Sequence, residues 1–145
     1  MKLVDLNLLI YAVNRDARFH AAVRKWWENC LSSGDPVAFA WIVILGFLRI
    51  TANMRIMPVP LTDQQAMGVM NEWLEQPSVF ILSPTERHRD ISRQLIVPLG
   101  TAGNLTSDAH LAALSVEHGA TLFSTDNDFS RFQVLKWKNP VVVHT

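Results

Sequence analysis

The chain has 145 residues, 49% of them hydrophobic, with five tryptophans, which suits one domain with a substantial core. Thirteen basic residues balance thirteen acidic ones, which excludes a protein that holds long nucleic acid by electrostatics alone. An enzyme that brings its own cation to a phosphate stays open. The mean hydropathy of +0.13 fits either a well-packed core or an apolar surface covered by a partner.

Cys30 is the only cysteine, so an internal disulfide and a multi-cysteine zinc site are both ruled out. The first residues, MKLVDLNLLIYAV, carry Asp5 and Asn7 inside their apolar run and have no small-residue cleavage pattern, unlike a signal peptide. No run reaches the roughly 18–20 apolar residues of a membrane span. The longest, Val37 to Leu48, ends at Arg49. The reading is cytoplasmic, with no membrane partner.

In chain order, Lys2-Leu3-Val4 reads as a buried strand ending at Asp5, and Asn7 to Val13 as a first helix. His20 to Leu31 is a second helix with Ala22, Trp26, Trp27 and Leu31 on one face, closed by Ser32-Ser33-Gly34-Asp35-Pro36. Val37 to Ala40 is strand two. The helix that follows, WIVILGFLRITAN, is apolar nearly all round and is expected to pack against another helix or a second subunit. Met57 to Pro60 is an extended connector, and Leu61-Thr62-Asp63 opens a helix through Leu74. Ser78 to Leu82 is strand three, and Thr85 to Leu99 a helix ended by Pro98. Gly100 to Gly103 is a flexible link. Thr106-Ser107-Asp108 opens an amphipathic helix that Gly119 stops, and Thr121-Leu122-Phe123 is strand four. Val134 to Trp137 is a short mixed segment, and Asn139-Pro140 turns the chain into a last strand, Val141 to Val143. Five strands alternating with helices predict an α/β sandwich with a mostly parallel five-stranded sheet.

The chemistry lies in the acids. Asp5 ends strand one, Asp126 ends strand four, Asp128 lies just beyond, and Asp108 opens the preceding helix. If strands one and four are neighbours, these acids meet at the carboxyl edge of the sheet, where ligands bind in such folds. Clustered carboxylates repel and raise one another's pKa until a cation neutralises them. All-oxygen ligands suit Mg2+ or Mn2+, and a carboxylate-held magnesium is suited to phosphodiester chemistry. Taken singly, Asp108 also reads as a helix N-terminal residue and Asp126-Asn127-Asp128 as an ordinary turn. Asp5 resists that reading, because an acid ending a buried strand costs free energy without a partner.

These residues resemble a known family. VDLNLLIYA near the start, FLRITAN, GNLTSDAHLAAL, DAHLAALSVEHGATLFSTDNDFSRF and the LKWKNP close are similar to the PIN-domain ribonucleases, specifically the VapC-type toxins of bacterial toxin–antitoxin pairs. The resemblance implies a PIN-like three-layer sandwich over residues 1–145 and Mg2+-dependent endonucleolytic cleavage of RNA. It implies Asp5, Asp108 and Asp126 as metal-binding acids, Asp128 as a supporting one, and Asn7 and Thr125 as residues that orient them. It also implies an antitoxin partner laid across the active-site groove, and a homodimer. One departure stands out: family members often carry a glutamate in the helix after strand two, whereas no acid lies between Trp41 and Asn53. The equivalent position is near Gly46. One carboxylate fewer favours a single held Mg2+, and keeps open a PIN-like module that binds RNA or protein without cutting.

The five histidines show no spacing of paired metal ligands along the chain. His20 is placed to open its helix and His118 to cap one. His88 lies among Arg87, Arg89 and Arg93, which read as a solvated helix face. Cys30 reads as a packing residue. Arg49, ending a very apolar helix, is the candidate for contact with phosphate or a partner's acid. A phosphate-transfer domain of the receiver or phosphatase type would want a second acid beside Asp5, where this chain has Leu6 and Asn7.

Overall fold

The computed structural model describes residues 1–100 and 103–141. The elements are β1 (Lys2–Val4), α1 (Leu6–Val13), α2 (His20–Ser32), β2 (Val37–Ala40), α3 (Trp41–Thr51), α4 (Asp63–Leu74), β3 (Val79–Leu82), α5 (His88–Ile96), α6 (Thr106–Glu117), β4 (Thr121–Phe123) and β5 (Trp137–Lys138), with three short 3-10 turns. The strands form one sheet in the order β3-β2-β1-β4-β5, and every pair is parallel. The expected α/β architecture is therefore present, all-parallel rather than mostly so. Six helices flank the sheet. α1 packs on α2 and α3, α3 on α4, and α5 lies along α6.

β1 and β2 are apolar runs with no solvated face: Leu3, Val4 and Val37 through Ala40 are all fully buried, as strands inside a parallel sheet must be. Chain order proceeds from β1 outward to β2 and β3 on one side, then returns to β4 and β5 on the other. The strand order thus reverses between β1 and β4, and the crevice at such a switch point is where parallel α/β sheets bind ligands. The register Val4↔Phe123, with Asp5 N–H donating to Phe123 O at 3.0 Å, brings the two strand ends level there.

Beneath the sheet's other half lies an aromatic cluster. Trp73 stacks on Phe39 at 6.4 Å and meets Phe47 at 5.2 Å and Trp27 at 5.5 Å edge-on. Of the two adjacent tryptophans, Trp27 is the buried one. Trp26 lies half-buried against Phe123. Local signals set the helix ends. Thr62 and Gln65 form a reciprocal capping box at α4, and Gly119, at φ +65°, ends α6 in a conformation that disfavours any side chain.

Three expectations need correction. The helix before α6 is shorter than Thr85 to Leu99: α5 stops at Ile96 and the chain tightens into a 3-10 turn, Val97–Leu99, because Pro98 has no N–H to continue the ladder. The last strand among the described residues does not begin at Val141. Trp137–Lys138 pairs with Leu122 and Phe123 instead. Val141 lies in a turn, and 142–143 fall outside the described residues. Of the link Gly100 to Gly103, positions 101–102 are also outside them, while Gly103 begins a 3-10 turn.

α3 is buried on one side only. Val43, Ile44, Gly46 and Phe47 face the core, while Trp41 (54%), Ile42 (38%) and Leu45 (60%) remain accessible.

The end of α6 is fastened to the segment before α5 by one buried acid. Glu117 accepts from Thr85 N–H at 2.7 Å and from His88 Nδ1 at 2.6 Å, its side chain wholly shielded from solvent. Arg87 donates to the Glu117 carbonyl at 2.6 Å, and His118 Nε2 to Ser83 O at 2.8 Å. Arg87 is thus a structural bridge, not simply part of a solvated face. Removing a buried acceptor strands its donors at about 1–3 kcal/mol each. Glu117→Ala is accordingly expected to lower unfolding stability by about 3 kcal/mol in urea titration, with Glu117→Gln lowering it less.

Candidate metal centre

Asp5 leaves β1 at the crevice with 9% of its surface accessible. It caps α1: Leu6 N–H donates to Asp5 Oδ1 at 2.7 Å. The hydroxyl of Ser124, the first residue after β4 and itself fully buried, donates to Asp5 Oδ2 at 2.7 Å. Ser124 Oγ in turn accepts from Asn7 Nδ2 and from Asp126 N–H, each at 3.0 Å. One hydroxyl therefore uses its single donor and both lone pairs to tie β1, α1 and the β4 turn together. Asn7 orients Asp5 through Ser124, and its Oδ1 accepts from Thr125 N–H at 3.4 Å. The orienting group at this turn is Ser124, and Thr125 takes part through its backbone. Ser124 lies within the same acidic turn, one residue before the position singled out by sequence. Its signal, a small hydroxyl residue directly ending a buried strand, was present but not distinctive.

Asp126 continues the turn, its Oδ1 accepting from Asp128 N–H at 2.9 Å. Asp108, on the first turn of α6, faces the same spot. Carboxylate oxygens of Asp108, Asp126 and Asp128 all lie within 4.8 Å of one another. Asp5 stands outside that trio but shares with Asp108 a cleft of about 450 Å3, whose far wall is Ile42, Leu45, Gly46 and Arg49 of α3. The four predicted acids thus converge, with Asp128 placed as closely as Asp108 and Asp126. Arg49 lines the cleft and has no ion-pair partner within 4.0 Å among the described residues.

At Gly46, the position where the acid would be expected, the Leu6 side chain packs close. A Cβ built there would come 2.6 Å from Leu6 Cδ2, so the Leu6 side chain fills the space that a longer residue at 46 would need. Cys30 is buried inside α2 and burial pushes its thiol up, consistent with packing.

Desolvation is the main force on these carboxyls. It raises Asp5, against the hydrogen bonds from Ser124 and Leu6 N–H, with a further rise from the Asp126 charge. It also raises Asp108, where the charges of Asp126, Asp5 and Asp128 all add, to about 6. A group of hard oxygen donors under this mutual repulsion fits a small divalent cation such as Mg2+ or Mn2+.

The comparisons bear on the same residues. The family model described as PIN domain matches residues 2–135. The chain belongs to the PIN domain family. Ribonuclease VapC37 of Mycobacterium tuberculosis is 42% identical over 140 residues, covering 97% of both chains. Ribonuclease VapC33 of the same species is 38% identical over 141 residues, covering 97% of this chain and 99% of its own. Among solved structures, VapBC-1 from nontypeable Haemophilus influenzae matches with a TM-score of 0.71 at 16% identity, over 97% of this chain and 98% of the other. VapBC2 from Rickettsia felis, bound to a promoter DNA fragment, matches at 0.70 and 18% identity, over 95% and 97%. Those two show the PIN fold. No helix among the described residues is long and apolar enough to cross a membrane.

Three outcomes follow for this PIN centre. Asp108 binds its proton more tightly folded than unfolded, so its contribution to stability is full below about pH 3.8 and is lost as pH rises through about 6. Metal-free protein is expected to lose thermal stability across that window, and Asp108→Asn to flatten the loss. Mn2+ at pH 7.5 should raise the melting temperature of the wild type and not of Asp108→Asn, by scanning calorimetry. Ser124→Ala, which leaves Asp5 without its hydroxyl donor, is expected to weaken Mn2+ binding by about 10–100-fold in titration calorimetry.

Proposed function

We propose that this protein is a Mg2+-dependent endoribonuclease, the toxin of a toxin–antitoxin pair, its 145 residues forming one PIN-like domain that acts in the cytoplasm. The observation that carries the reading is the meeting of Asp108, Asp126 and Asp128 beside Asp5 at the β1/β4 switch point. Near-full-length similarity to relatives named Ribonuclease VapC supports it.

In this reading Asp5, Asp108 and Asp126, with Asp128 close by, hold Mg2+ (Mn2+ as a substitute), directly or through water. The ion's chemistry is to polarise the phosphodiester and lower the pKa of the attacking water. The chain's own residues do the rest. Ser124, itself held by Asn7, aims Asp5 at the crevice, and its hydrogen bond opposes the rise that burial imposes on the carboxyl. The Asp126–Asp128 turn fixes its two acids against Asp108. Arg49, across the cleft, offers a fork of donors to a phosphate oxygen. With Leu6 occupying the space at Gly46, the α3 wall adds no carboxylate, which supports one resident ion and a second arriving only with substrate phosphate.

The cognate antitoxin is proposed to cover this cleft, whose Ile42 and Leu45 wall offers apolar contact and whose acids attract a cationic side chain. A homodimer is proposed through exposed apolar surface, of which Trp41 is the largest member. A second reading, a PIN-like module that binds RNA or protein without cutting, draws on the acid-free α3 wall.

Purified protein is expected to cleave structured RNA with Mg2+ and to stop with EDTA. Asp5→Asn and Asp126→Asn should each lower the rate by more than about 100-fold, since each removes charge from the metal-holding set. Undiminished cleavage by either variant would falsify the mechanism. Mn2+ uptake without any cleavage would favour the binding module.

A further inference from the structure

α5 and α6 enclose a second polar cluster, apart from the carboxylate cleft and unused by the chemistry above. His88 Nδ1 lies 2.6 Å from Glu117 Oε2. The other nitrogen of the same ring, Nε2, lies 3.0 Å from His110 Nδ1. The two rings stand nearly perpendicular, at 72°, with centroids 4.8 Å apart. In the tautomer that donates from Nδ1 to Glu117, the Nε2 lone pair of His88 is turned towards His110 Nδ1.

We propose that His88 Nε2 and His110 Nδ1 form a binding site for a divalent transition metal of the Zn2+, Co2+ or Ni2+ class. Three features of the cluster support it. A tetrahedral ion with metal–nitrogen bonds of about 2.0–2.1 Å sets two ligand nitrogens about 3.3 Å apart with both lone pairs turned to the ion, so the hydrogen-bonded pair, now 3.0 Å apart, has to open slightly and rotate its rings. The far nitrogen of His88 is held by a buried carboxylate, the arrangement that fixes the tautomer and raises the basicity of a metal-bound histidine. Glu117 Oε1 is itself held by Thr85 N–H at 2.7 Å, so the acid cannot swing away. Nitrogen donors select zinc, cobalt and nickel over magnesium, which separates this site from the carboxylate trio.

Arg87 donates to the Glu117 carbonyl, and His118 Nε2, bonded to the Ser83 carbonyl, lies 3.8 Å from Glu117 Oε1. The His88 side chain is 17% accessible, so water can complete the coordination shell. The ion would bridge α5 to α6 at His110, two residues beyond Asp108.

The test is Co2+ titration of the metal-stripped full chain carrying Asp126→Asn and Asp128→Asn, which disables the carboxylate trio, followed by visible absorption. One Co2+ per chain is expected, displaced by Zn2+, with His110→Gln and His88→Ala each lowering affinity at least tenfold. Circular dichroism checks that each variant is folded. Absence of Co2+ uptake, or uptake unchanged in folded His110→Gln, overturns the proposal. A pair that serves only to hold α5 on α6 would change the melting temperature without changing uptake. If neither histidine variant folds, imidazole proton NMR of the wild type decides. Zn2+ shifting the His88 and His110 signals supports the site, and shifts confined to other histidines refute it.

Discussion

The Ser124 hydroxyl joins two parts of the chain that lie 119 residues apart, donating to Asp5 at the end of β1 while accepting from Asn7 on α1 and Asp126 beyond β4. Each of those groups would otherwise be a buried or half-buried polar atom without a partner, at a cost of about 1–3 kcal/mol. The contact is possible only because β1 and β4 run parallel and in register, and that pairing in turn places the switch point of the sheet under the acids. Remove the pairing and Asp5 is a desolvated carboxyl with nothing to face.

Around that contact, electrostatics and folding pull in opposite directions. Four aspartates gather at one crevice, where burial and neighbouring charge disfavour ionisation of Asp5 and, most visibly, of Asp108. A folded chain concerned with stability alone would disperse them. Local concentration of unfavourable charge at the one crevice the topology creates marks a centre built for a cation, in keeping with the tendency of perturbed acids to cluster at functional sites. The hydrogen bonds to Asp5 oppose, without cancelling, the rise that burial imposes on its carboxyl.

The two walls of the cleft divide the work. α6 and the β4 turn supply negative charge. α3 supplies aliphatic surface and one guanidinium, and the packing of Leu6 against Gly46 keeps that wall free of acid. On the other side of α6, Glu117 satisfies Thr85 and His88 in a shielded position, so the helix that presents Asp108 is fastened at its far end. A single helix thus carries a member of the acidic cluster at its first turn and an anchor at its last.

Much of this was legible in the residues. Apolar runs bounded by turn signals located β1 to β4, because a strand buried on both faces has to be apolar. The acids were legible because carboxylates at strand and helix ends have few structural uses. Gly119 and Thr62 marked their helix ends because backbone geometry acts locally. What the tertiary structure decided was everything that depends on partners distant in sequence. β5 fell on Trp137–Lys138 because the edge of β4 was the available ladder, not because those residues prefer strand to Val141. Ser124 became the orienting group because pairing of β1 with β4 set its hydroxyl, rather than that of Thr125, against Asp5. His88 and His110, with no suggestive spacing along the chain, met because α5 lies against α6. Local chemistry is written into neighbouring residues, but a hydrogen bond between residues 22 or 119 positions apart exists only once the sheet and helices have closed.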